Sequence, residues 1–389
     1  MSNLACNIVA YRPDREMLVA NFRHWHVEAH LDQASTLIDR CREDYKEYCS
    51  LQYAWHEFTH LLETQVRQLE FDKSESAGLP ETETAEVPEP LSLSEESQES
   101  LEGAAGTLPE SEEQVVPTVR EVPRQRTRLD LQAEAVRRKK ELSAPGGPFA
   151  LDERRDLALK RLCRDYEEAV NRACVAEAGL KVFYDHAEPS SPLPPEDEAL
   201  GVSISNLTNW IRNAGEWLVR YRQMEEAFTR VISLRSLLTR NAWVQVKQSR
   251  DSYSSKLQIP INLFRDYDNC RLRGVGAAII GDAGKVPWSM TLQLPEQALY
   301  HRSGQSVNVN QFGRPPCLLG RVENRRSIHP IEICGATSWM NASPIGRPTP
   351  GGLWSLDIFK PVGANSESFG HVEDVVLEIY VVGTPKMEG

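Results

Sequence analysis

His56-Glu57-Phe58-Thr59-His60 is the stretch of this chain whose residue types and spacing would do chemistry. On a helix, His-Glu-x-x-His sets two imidazoles one turn apart. Its Glu is then placed as general base for a zinc-bound water, so His56, Glu57 and His60 read as a zinc-dependent hydrolase site. The neighbourhood argues against it. No histidine follows at a spacing that completes three ligands. His24, His26 and His30 lie more than about 35 Å away along a straight helix rising about 1.5 Å per residue. The motif also straddles a seam in which Trp55, Thr59 and Leu62 are packing positions. The expectation is therefore no enzyme and no cofactor, with His56 and His60 kept as metal candidates under the alternative, hydrolase reading.

Other chemistry is weaker still. Gly274-Val-Gly276 suggests a phosphate-cradling loop, but Asp282-Ala-Gly284 turns the chain toward a strand where such a loop needs a helix. Strand glycines at a bend or bulge explain it better. Trp288, Trp339 and Trp354 would form a sugar platform if exposed, giving a carbohydrate-binding sandwich on a helical stalk. Core packing is the commoner fate of tryptophans beside alternating strands. Eight cysteines contain no Cys-x-x-Cys pair, which predicts reduced, mostly buried thiols and no zinc ribbon.

The elements that position these residues follow from periodicity. From 1 to 72 the chain reads as a long helical segment. Ala34, Ile38, Cys41, Tyr45, Tyr48, Gln52, Trp55, Thr59, Leu62, Val66 and Leu69 step by fours and threes, a heptad seam that needs a hairpin partner or a second copy. Residues 73–128 are rich in Glu, Ser, Pro and Thr and predict a disordered acidic linker. Residues 129–255 predict helices. In one, Leu159, Leu162, Tyr166, Val170 and Ala173 share a face; in another, Trp210, Ala214, Trp217, Tyr221, Met224, Phe228, Ile232 and Leu238 do.

Residues 256–389 change period from about 3.6 to 2. Met290, Leu292 and Leu294 alternate with polar neighbours, and so do Trp354, Leu356 and Ile358. Val375, Leu377, Ile379 and Val381 make the inward face of a last strand. With Gly and Pro clusters between them, these runs predict an antiparallel β-sandwich. The fold class is α+β: long helices of hairpin or coiled-coil type, then the sandwich.

Charge narrows the partners. The net charge is −12, and residues 74–119 hold twelve Glu with no Lys or Arg, so the rest is close to neutral. A neutral folded part has no electrostatic footprint for nucleic acid. No apolar run approaches the roughly 18 residues of a membrane span. The first twenty residues lack the apolar core of a secretory signal, which predicts a cytoplasmic protein, or one released by a non-classical route.

The order of short motifs in the second half resembles the C-terminal, B-subunit-binding region of the A subunit of insecticidal Tc toxin complexes. The resemblance runs from about Asp152 to Val382. It is carried by Asp165-Tyr166-Glu167, Ala176-Glu177-Ala178, Gly215-Glu216, Met224-Glu225-Glu226-Ala227-Phe228 and Ile232-Ser233-Leu234-Arg235. Further on it uses Phe264, Asp266-Tyr267, Arg271-Leu-Arg273, Trp354-Ser-Leu356 and Asp374-Val375-Val376-Leu377-Glu-Ile379-Tyr380. Two departures stand out: a shorter interval from Met224 to Ile232, and Phe369-Gly-His-Val where the family has Phe-Asp-Tyr.

The resemblance implies a non-enzymatic interaction module that docks a β-propeller-type B subunit. It carries over no contact residues. The expected partner anchors are instead Arg302, Arg314, Arg325 and Arg326, placed in the turn-rich middle of the β-domain, where loops are expected. Self-association is expected through the N-terminal helix.

Overall fold

The structure is a computed structural model that describes residues 8–13, 23–77, 121–188, 190–249, 251–281, 288–322, 338–359 and 371–386. The chain is α+β, with long helices first and antiparallel sheets last. Its helices are α1 (Val27–Ala77), α2 (Glu121–Ser143), α3 (Leu151–Gly179), α4 (Leu200–Gln223), the short α5 (Leu234–Leu237) and α6 (Arg240–Gln248). Among the described residues, no helix is long and apolar enough to cross a membrane.

Two compact units divide the chain. One comprises residues 1–45 with 161–389, the other residues 46–160. In the first, Ala34, Ile38 and Cys41 of α1, Leu162, Tyr166 and Val170 of α3, and Leu207, Ile211 and Ala214 of α4 are all buried. Their spacing by threes and fours is the reason each helix has a single apolar face. Gly179 lets the end of α3 meet the start of α1. A Cβ there would lie 2.3 Å from the His24 carbonyl oxygen and 2.4 Å from Val27 Cγ2. A π turn, Leu180–Tyr184, follows, and Asp185 closes it in the left-handed region at φ 59°.

The helix expected to run through Phe228, Ile232 and Leu238 ends at Gln223. Glu226–Ser233 is instead strand β1, paired antiparallel with β9 (Val372–Pro385) so that Phe228 faces Val381 and Ile232 faces Leu377. Phe228 and Ile232 are four residues apart, a spacing that suits one helical turn and two strand repeats equally. The β-branched run Thr229, Val231, Ile232 and the nearby sheet decide for the strand.

The sandwich thus begins before residue 256. One sheet runs β1-β9-β3, with β3 at Tyr267–Gly281. The other runs β2 (Ser252–Leu257), β8 (Trp354–Phe359), β4 (Trp288–Gln293) and β7 (Cys317–Val322). Val275, Ile279, Leu377 and Ile379 of the first share a core with Met290, Leu292, Leu356 and Ile358 of the second. The glycine-rich stretch lies within β3, where register shifts fall between Leu272 and Gly274 and between Ile280 and Gly281. A separate hairpin joins β5 (Gln297–Arg302) to β6 (Gln305–Asn310) through Ser303 and Gly304, at φ 47° and 80°. Positive φ at both positions matches the strand twist in a two-residue hairpin turn.

In the unit of residues 46–160, α1 continues alongside α2, where Lys139 Nζ donates to Gln65 Oε1 at 3.1 Å. Tyr48, Leu51 and Ala158 are buried, but Trp55, Leu62, Val66 and Leu69 are only half-buried. The Arg155 guanidinium lies 4.8 Å from the Trp55 ring. Of the expected linker, residues 78–120 lie outside the described residues, whereas its two ends are the last turn of α1 and the first turns of α2.

Candidate functional site

Between β6 and β7 the chain reads Gln311-Phe312-Gly313-Arg314-Pro315-Pro316, and buried polar groups pin it on both shoulders. Gln311 Nε2 donates to the Pro295 carbonyl at 3.0 Å, and its Oε1 accepts the Ser343 N–H at 2.7 Å. Arg314 Nη1 donates to the Met340 carbonyl at 2.9 Å, with its guanidinium 4.6 Å from the Trp25 ring. Trp339 Nε1 donates to the Pro315 carbonyl at 2.8 Å. Gly313 sits at φ 81°, where a side chain is strained. Between these fixed points Phe312 is 73% exposed, and Leu318 at the start of β7 is 70% exposed. A rigid loop therefore holds a large apolar ring in solvent.

Two of the four arginines expected as partner anchors lie within the described residues, and both are largely covered. Arg314 is only 7% exposed, and burial lowers its pKa to about 10, which leaves it charged at neutral pH. Arg302 donates from Nε to Asn269 Oδ1 at 3.0 Å and from Nη2 to the Val182 carbonyl at 2.6 Å. Burial lowers its pKa too. Both side chains reach inward, away from solvent, and tie the loops to the helices. Arg325 and Arg326 lie outside the described residues.

Behind this loop lies a buried polar joint centred on Arg271, fully buried in β3. Its guanidinium is 3.8 Å from the Tyr184 ring, ion-pairs with Glu225, and donates to Asn341 Oδ1 at 3.1 Å. Asn341 Nδ2 in turn donates to the Trp25 carbonyl at 2.9 Å, and the Tyr184 hydroxyl donates to Glu28 Oε1 at 2.8 Å. Burial alone would raise the Glu28 pKa. Hydrogen bonds from its own backbone N–H and the Tyr184 hydroxyl, with the charges of Arg273 and Arg271, hold it below the usual range. Burial pushes the Tyr184 hydroxyl up to about 12. The joint thus links the start of α1, the π turn, the end of α4 and β3.

The groups with catalytic potential are placed less favourably. Gln52 Nε2 lies 2.7 Å from His56 Nε2, which engages one of the two ring nitrogens, and His60 is exposed. Among the described residues, no three His, Cys, Asp or Glu side chains gather into a metal-holding group. Burial, aided by Asp268, pushes the Cys270 thiol up to about 12, so it is protonated and a poor nucleophile at neutral pH. Trp339 and Trp354 are fully buried, edge to face at 5.7 Å, and offer no sugar platform. The Trp288 side chain lies outside the described residues.

Phe312 and Leu318 are what residue-by-residue reading missed. The available signal was an aromatic immediately ahead of a Gly-Arg-Pro-Pro turn, a position that a fixed loop holds outward.

No family model matches the chain, and no curated protein sequence matches it. Among solved structures it is similar in part to TcdA4 of Morganella morganii. That match has a TM-score of 0.38 and 12% identity, over 68% of this chain and 13% of that one. It is also similar to TcaA-TcaB of Yersinia pseudotuberculosis, with a TM-score of 0.35 and 10% identity, over 95% of this chain and 24% of that one. This chain spans a quarter or less of either.

Proposed function

We propose that this chain is a non-enzymatic interaction module that docks a β-propeller partner of the Tc toxin B-subunit kind through the loop between β6 and β7. The observation that carries the reading is Phe312, largely exposed between the buried Gln311 and Arg314. An aromatic ring already fixed in its bound orientation loses little conformational entropy on docking. Interfaces concentrate their energy in such anchors. Arg302 and Arg314 contribute from behind by holding the loops still. The partner class comes from the motif order between Asp152 and Val382.

The test is calorimetric titration of the full chain with a Tc toxin B-type propeller subunit. Wild type should bind, and Phe312→Ala combined with Leu318→Ser should weaken binding by about tenfold or more. Circular dichroism should be unchanged, because both side chains are mostly in solvent. Equal affinity for the two proteins would remove the loop from the contact, and no binding by wild type would remove the partner class.

A further inference from the structure

A groove of about 430 Å³ runs between α1 and α4, and its two walls carry opposite charge. The α1 wall presents Asp32, Ser35 and Asp39, an acid–small–acid row at i, i+3 and i+7. The α4 wall presents Arg212, Gly215, Val219 and Arg222, a basic row around a small centre. Among the described residues, Asp32, Arg212 and Arg222 make no ion pair, and Asp39 pairs only with Arg42 on its own helix, at 3.7 Å. The walls face one groove yet do not neutralise each other.

Gly215 marks the middle. A Cβ there would meet nothing within 4 Å, so no described neighbour requires a glycine. Glycine in a helix interior is nonetheless destabilising relative to alanine. A bare backbone of this kind suits close approach by another chain. Val219, 57% exposed, supplies an apolar knob one turn further along the same face.

We infer that this groove is a two-fold contact between copies of the chain. In an isologous contact the same surface is used twice, so it must complement itself. Rotating a second copy by a half-turn sets its basic α4 wall opposite the acidic α1 wall of the first, and the reverse. Gly215 and Val219 of each copy then lie against the α1 wall of the other, where Ser35 is the small residue between Asp32 and Asp39. The occupant is a second copy because one helix pair presents both charge rows, each the complement of the other. This contact is independent of the propeller docking proposed above, and either can fail without the other.

Sedimentation equilibrium of the full chain, from about 1 to 200 µM, tests it. Wild type should show a reversible monomer–dimer equilibrium that weakens with salt. Arg212→Glu with Arg222→Glu sets acid against acid and should weaken dimerisation about tenfold or more. Adding Asp32→Arg and Asp39→Arg exchanges the two walls and should restore it, a recovery that misfolding would not produce. Phe312→Ala should leave it unchanged. A monomeric wild type, a dimer indifferent to the double reversal, or a loss that the exchange does not restore would each overturn the inference.

Discussion

Ile38 and Leu62 occupy one seam of α1, yet Ile38 is 2% exposed and Leu62 only half-buried. In the unit that holds Ile38, buried faces of α3 and α4 accompany α1. In the unit that holds Leu62, α2 runs beside it and few side chains are fully buried. The seam's period sets which face turns inward. How far that face leaves water depends on how many elements cover it, and the pattern on α1 alone carries no record of that number.

The strongest way to break this contrast is at the polar joint of the better-packed unit. Arg271→Ala leaves Glu225 buried without its partner and should cost about 3–5 kcal/mol, read from urea denaturation. A loss below about 1 kcal/mol would mean that the pair is solvated in practice. Next comes the seam itself. Ile38→Ala should cost about 2–4 kcal/mol by transfer and cavity terms, whereas Leu62→Ala should cost about 1 kcal/mol or less. Equal losses would erase the distinction between the units.

An effect smaller than the Ile38 loss concerns acid. Burial first, then the charges of Arg314 and His30, lower the His24 pKa from 6.5 to about 4, and its ring stacks on Phe183 at 5.3 Å. The unfolded chain therefore binds a proton between those pH values that the folded chain refuses. Stability from this site is full above about pH 6.5 and falls as pH drops toward 4, by about 1–2 kcal/mol after allowing for partial exposure. His24→Gln should flatten that part of the pH–stability curve, measured by thermal denaturation in matched buffers. An unchanged slope would place the acid sensitivity elsewhere.

Much of the architecture was legible in residue order. Strict alternation through Met290, Leu292 and Leu356, Ile358 can serve only strands with one buried face, and these residues form the sandwich core. The helix reading failed at Phe228 and Ile232 because their spacing fits both periods, and only pairing with β9 separates them. Of the candidate site, the turn-rich stretch around Arg314 was recognisable as a loop, but the direction of its side chains was not.

By itself the sequence determined the α+β class, the inward faces of α1, α3 and the last strands, and the acidic composition of residues 74–119, because each depends on local period or composition. Tertiary structure alone decided that Arg302 and Arg314 point inward, that Phe312 is held outward, and that the start of α1 belongs with the β-domain. An arginine in a Gly- and Pro-rich turn is solvated unless something arrives to cover it. What covers Arg314 is Trp25, whose carbonyl also receives the Asn341 amide from 316 residues away. Contacts at that separation leave no periodic trace along the chain, so only the folded arrangement carries them.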